Sequence, residues 1–204
     1  MKKTILAIIF ACCTLALAAQ EGIPVSYHGA NPTISDFAWA FLSSSVDDEE
    51  ECCIDEATNA VRQAWINHRE GIPQYEGQSL TIDEKNGYAV YESQYEEHLV
   101  RIEMCYWNES DRKHKLFAYN VSSFFEGKYS PGQFDGIMFY RYDNATKRMI
   151  QCDDTGFDVV YTTEDGGWLS FALPQTGKDI IVTTWHDNGT KQKTLKWNGS
   201  RFSW

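Results

Sequence analysis

Aromatic side chains set among charged ones are the first residues of this chain that could do chemistry. From Val100 to Trp107 the residue types alternate. Val100, Ile102, Met104 and Tyr106 share one side of a strand, and Arg101, Glu103, Cys105 and Trp107 share the other. The first set suits a core; the second puts Trp107 beside charge. Tyr140 and Tyr142 oppose Phe139, Trp168 opposes Leu169 and Phe171, and Trp185 opposes Val182 and Thr184. These strands carry rings on both faces, more than one buried face needs. Trp107, Tyr140, Tyr142, Trp168 and Trp185 are therefore the candidate ligand-binding residues, a flat platform that stacks on sugar rings or grips a peptide. Set against this is the plainer expectation that aromatics are favoured in strands and that the helices cover the second face.

Other chemistries have less to build on. Asp153-Asp154-Thr155-Gly156-Phe157-Asp158 gathers three carboxylates around a glycine, as a hard cation would require. It lacks the alternating ligands and distal Glu of an EF-hand loop, and Asp in turns more often bonds its own backbone. Cys52-Cys53 has no C-x-x-C partner or His at ligand spacing. No metal and no cofactor is expected. The five histidines are scattered, and His68, on the apolar stripe of a helix, reads as a bonded core residue. G-x-S-x-G and H-E-x-x-H are absent from the sequence. A hydrolase of extracellular polymers would need an Asp/Glu pair that meets in space, which sequence does not reveal.

The chain opens like an exported protein. Met1-Lys2-Lys3 is cationic, Ile5 to Leu17 is apolar, and small residues precede the polar Gln20-Glu21. This is the order of a signal peptide, here 1–19. The apolar run is short for a membrane span, and nothing after it approaches one. The expected location is across the inner membrane: periplasmic, cell-surface or secreted. Without Lys2 and Lys3, 16 Lys+Arg face 29 Asp+Glu, a net charge of −13. That field repels a phosphate backbone, so nucleic acid is not an expected partner.

Four cysteines follow the leader: Cys52, Cys53, Cys105 and Cys152. An even number in an exported chain suits two disulfides. Vicinal cysteines are strained as partners. The expected pairing sends one of Cys52 and Cys53 to Cys105 and the other to Cys152. If Cys105 is bonded in this way, the second helix must cross the Arg101–Trp107 face.

These residues need elements to hold them. Ser35 can cap a helix carrying Phe37, Trp39, Phe41 and Leu42. After the acidic run 47–51, a second helix extends from about Cys52 to Arg69, with Ile54, Ala57/Thr58, Val61 and Ala64/Trp65 on one stripe. Gly71 and Pro73 stop it. Beyond Pro73 the period becomes 2, and about eleven strands are separated by short turns, several of them Asp-Gly, Glu-Asp-Gly or Asn-Gly. Short connections make consecutive strands antiparallel neighbours. The expected fold is α+β, mainly β. Two N-terminal helices (35–69) precede a long antiparallel β-meander (78–204), a strongly bent sheet that is barrel-like or a sandwich. Residues 20–204 form one globular domain, since no linker divides the parts.

Lys193-Thr194-Leu195-Lys196-Trp197-Asn198-Gly199-Ser200-Arg201-Phe202 resembles the closing strands of small, functionally uncharacterised exported proteins of Bacteroidetes-type bacteria. Leu80–Tyr91 and Gly136–Asp143 are similar in style. The resemblance implies export and assigns no site residue. The expectation is an exported non-catalytic binding or interaction domain for a glycan, a peptide or an envelope protein. The alternatives are the Asp/Glu hydrolase and a structural envelope component.

Overall fold

The computed structural model describes residues 22–44 and 56–204. The leader 1–19, the acidic run and the Cys52-Cys53 pair lie outside the described residues.

Helix α1 (Ile34–Ser44) buries Ile34, Phe37, Ala38, Phe41 and Leu42, a 3–4 residue stripe. Its cap is Thr33, two residues earlier than Ser35. The Thr33 N–H and hydroxyl both donate to Asp36 Oδ2, at 2.7 and 2.9 Å; the bond from the cap's N–H to the N3 carboxylate is the half of a capping box that is present. Helix α2 (Glu56–Glu70) buries Thr58, Val61, Ala64, Trp65 and Asn67. His68 is exposed, contrary to the core position read from the stripe. In the last turn Asn67 takes the inward place instead, its carbonyl accepting the N–H of Ile72 at 2.8 Å.

Twelve strands follow the alternating pattern: β1 (Ile23–Pro24), β2 (Gln78–Asp83), β3 (Tyr88–Tyr95), β4 (His98–Asn108), β5 (His114–Phe125), β6 (Lys128–Tyr129), β7 (Gly136–Asp143), β8 (Arg148–Gln151), β9 (Trp168–Ala172), β10 (Ile180–His186), β11 (Gly189–Trp197) and β12 (Phe202–Ser203). All pairings are antiparallel. The first eight form a strongly curled half-barrel in the order β1-β8-β7-β5-β4-β3-β2, with β6 against β5. The last four form a second sheet, β12-β11-β10-β9. Residues 159–163 make only the isolated bridge Thr162–Trp168. The β2–β3 turn needs its glycine: Gly87 has φ +68°, and a Cβ there would stand 2.7 Å from the Tyr106 ring.

The curled sheet is buried on both faces. Toward the helices, Tyr91, Ile102, Met104, Phe117, Tyr119, Tyr142 and Met149 pack with Phe37, Phe41, Val61 and Trp65. Toward the second sheet, Tyr88, Cys105, Trp107, Leu116, Ala118, Ile137 and Phe139 meet Phe171, Leu173, Val182, Leu195, Trp197 and Phe202. Each large ring so buried contributes about 2–3 kcal/mol. The fold is therefore α+β and mainly β, in three layers. Among the described residues no helix is long and apolar enough to cross a membrane.

Candidate functional site

The five aromatics picked out by alternation do not share a surface. Trp107 is 4% exposed, on the second-sheet side, with its indole N–H donating to the Lys178 carbonyl at 2.8 Å. Tyr142 is fully buried against the helices, and Tyr140 packs partly buried beside Phe41 and Phe117. Tyr140 and Tyr142 therefore lie on the opposite side of the curled sheet from Trp107. Three rings of the expected platform belong to the two cores. The curled sheet needs apolar residues on both faces because it is sandwiched, and that accounts for the surplus of rings. Trp168 and Trp185 stand directly opposite each other on β9 and β10, so they share a face. Trp168 is 46% exposed. Trp185 is half-buried, touches Phe124 and Tyr129, and donates its N–H to Ser170 Oγ at 2.8 Å.

The expected disulfides meet a geometric obstacle. Cys105 faces the second sheet, whereas α2 lies on the other face of the curled sheet. The described part of α2 (Glu56–Glu70) does not cross the Cys105 face; Cys52 and Cys53 themselves lie outside the described residues. Cys105 and Cys152 are free thiols. The backbone of Cys152 bonds Phe139, which pairs with Ala118, which pairs with Cys105. Three strand spacings separate them, about 14 Å, twice the largest Cα separation a disulfide spans. Burial raises the Cys105 thiol pKa well above its ordinary value and pushes that of Cys152 up to about 11, so neither is poised for thiolate chemistry.

The 153–158 carboxylates do not converge. Asp154 takes a two-oxygen contact from Arg141 at 2.7 and 2.8 Å, and the Thr155 carbonyl accepts the Phe202 N–H at 2.8 Å. The segment ties the curled sheet to β12. Among the described residues, potential ligand atoms do gather at Glu109, Asp111 and His114, within 4.8 Å of one another. Each is already engaged. Glu109 holds Arg141 at 2.8 Å, Asp111 caps the N–H groups of Lys113 and His114, and the His114 ring lies between Asp111 (2.5 Å) and Asp143 (3.2 Å).

Buried polar groups explain how the two sheets are joined. Strand β9 is the edge of the second sheet and leaves backbone groups without a strand partner. Asn120 Nδ2 donates to the Phe171 carbonyl at 2.9 Å, and the Leu173 N–H donates to Glu103 Oε2 at 3.3 Å. Tyr88 donates to the other Glu103 oxygen at 2.8 Å, and Asn120 Nδ2 makes a second, longer contact to Glu103 Oε2 at 3.3 Å. Burial raises the Glu103 pKa, while its three donors pull the other way. The cluster substitutes for a missing strand.

A cavity of about 400 Å³ between α2 and the curled sheet is lined by Tyr91, Ser93, Phe134 and one carboxylate, Asp135. Burial raises the Asp135 pKa against two hydrogen bonds from Ser123. Among the described residues lining it, Asp135 is the one carboxylate.

The richest convergence of aromatic and polar groups lies at the open side of the helices. A cavity of about 460 Å³ is bounded by the start of α1 (Ser35, Asp36), by Trp39, by the end of α2 (Trp65, His68, Arg69) and by Tyr27 and His28 after β1. An adjoining cavity of about 340 Å³ shares Ser26, Asp36 and Trp39 and continues past Pro24 to Ser44. Trp39 is half-buried, and the Arg69 guanidinium lies 4.6 Å from its ring centroid. Lys147 sits 5.0 Å from the Tyr27 ring. Sequence reasoning missed Tyr27, Trp39 and Arg69. The available signal was Trp39 itself, a large aromatic beside the 34-37-38-41-42 stripe instead of within it.

Comparison of the chain with protein-family models, with curated proteins and with solved structures finds no match.

Proposed function

We propose that this chain is an exported, non-catalytic binding domain that holds a glycan in the groove around Trp39. The observation that carries the reading is the make-up of that groove. Its walls combine a half-buried Trp, a Tyr, an Arg, two His and an Asp around a cavity of about 460 Å³. Sugar sites have this character: a ring to stack on and a few oriented polar groups to fix the hydroxyls. The order of the first 19 residues supports export.

A thermal-shift panel tests the proposal, run on residues 20–204 with oligosaccharides, cell-wall fragments and peptides. A ligand specific to the native state raises the melting temperature, with about 2.7 kcal/mol of stabilisation at a hundredfold excess over Kd. The expected result is a shift with an oligosaccharide that Trp39→Ala abolishes and Trp168→Ala preserves. A shift lost with Trp168→Ala and kept with Trp39→Ala would move the site to the second sheet. A peptide-only shift, or none, would overturn the glycan reading.

A further inference from the structure

Resting on that glycan reading, we infer that the Trp39 groove selects acidic sugars, with Arg69 seating a carboxylate on the bound ring. The whole chain has a formal charge of −11, so an anion has no general attraction to it. The groove departs from that background. Arg69, His68 and His28 line it together. Among the described residues of its wall the one carboxylate, Asp36, is engaged at the α1 cap by Thr33.

Arg69 differs from the other arginines that hold ion pairs in this fold. Arg101 pairs with Glu92, and Arg141 pairs with Glu109 and Asp154. Among the described residues Arg69 has the Trp39 ring as its contact and no carboxylate within ion-pair distance. A guanidinium placed over an indole face keeps its N–H groups available to donate in pairs, which matches the two oxygens of a carboxylate. A cation in the last turn of α2 also complements the helix dipole. That accounts for a positive charge at this position; it does not account for the guanidinium being held on an aromatic wall of a cavity. The start of α1 borders the same space and adds its positive dipole end. A sugar ring stacked on an aromatic wall, with its carboxylate toward Arg69, uses all of these groups.

The test is titration calorimetry at low salt on residues 20–204, with three probes: trigalacturonate, an N-acetylmuramate-containing disaccharide, and maltotriose as the neutral ring. The two acidic probes separate a uronic acid from a cell-wall lactyl acid as the carboxylate's source. At least one acidic probe should bind about tenfold or more tighter than maltotriose. Arg69→Gln should bring it down to the neutral level, and Arg69→Lys should fail to restore it, because an ammonium lacks the paired donors. Arg69 is exposed, so these variants should keep the native circular dichroism spectrum. Equal affinity for acidic and neutral probes, with Trp39→Ala abolishing both, would overturn the acidic selectivity and leave the glycan site standing. Acidic binding unchanged in Arg69→Gln would overturn the role of Arg69. Binding of none of the three would argue against the glycan reading itself.

Discussion

At the residue scale, His114 shows how a few polar atoms set a pH dependence. Its Nδ1 lies 2.5 Å from Asp111 and its Nε2 3.2 Å from Asp143. The hydrogen bond to Asp111 lifts the imidazole above its ordinary 6.5. Backbone donation from Lys113 and then the His114 contact draw the Asp111 carboxyl from 3.8 to about 2. Asp143 is lowered too, first by the Thr146 N–H. A raised histidine contributes stability that is complete below 6.5 and is lost as pH rises through its folded value. A lowered carboxyl contributes above 3.8 and loses its contribution as pH falls. The clamp is thus fully engaged between about pH 3.8 and 6.5. Urea denaturation of the parent and His114→Gln from pH 4 to 9 should show a stability gap that narrows above pH 6.5. A gap that stays level or widens with pH would refute the clamp. The same scale explains the failure of the aromatic platform. Residue type marks Trp107 and Trp168 alike, yet one is anchored in a core and the other is open to solvent.

At the element scale, the weak point is the join between β9 and the curled sheet. Edge strands need their free N–H and C=O groups paired or covered. Here side chains from β4 and β5 do it, Glu103 for the Leu173 amide and Asn120 for the Phe171 carbonyl. Glu103→Ala leaves the Tyr88 hydroxyl and the Leu173 amide without their acceptor, each costing about 1–3 kcal/mol when buried unpaired, while Asn120 keeps the Phe171 carbonyl. The variant should lose roughly 3 kcal/mol or more of stability. In hydrogen exchange, its Leu173 amide should speed up far more than the amide of Met104, a central-strand residue whose side chain faces the helices. Equal acceleration of both would mean that Glu103 acts on the whole fold and does not specifically hold β9. The paired faces of β4 were legible from alternation, because side-chain direction in a strand follows residue parity. What covers each face was not. The helices take the Ile102–Met104 side and the second sheet takes the Cys105–Trp107 side. Nothing local to β4 distinguishes the two coverings.

At the scale of the molecule, three layers put Cys105 between two sheets, 2% exposed, and leave Cys152 at the margin. A thiol under that cover becomes reachable when the second sheet separates from the first. Alkylation under native conditions, followed peptide by peptide with mass spectrometry, should label Cys105 at the rate of global unfolding. Cys152 should react sooner, though slowly, with its pKa near 11. Labelling of Cys105 as fast as Cys152 would show that the sheets part without unfolding.

By itself the sequence determined the class of fold: two helices from 3–4 residue stripes and gapped capping signals, then antiparallel strands from period-2 runs between turn residues. Those are local properties, fixed by backbone geometry over a few residues. It also displayed the acidic charge and the leader-like first 19 residues. Only the tertiary structure decided that the strands divide after β8 into a half-barrel and a second sheet, and that both faces of the first are buried. It likewise decided that Tyr27, Trp39 and Arg69, spread over more than forty positions, border one groove. Such choices rest on contacts between residues distant in the chain, whose loop-closure cost and packing gain no local pattern records.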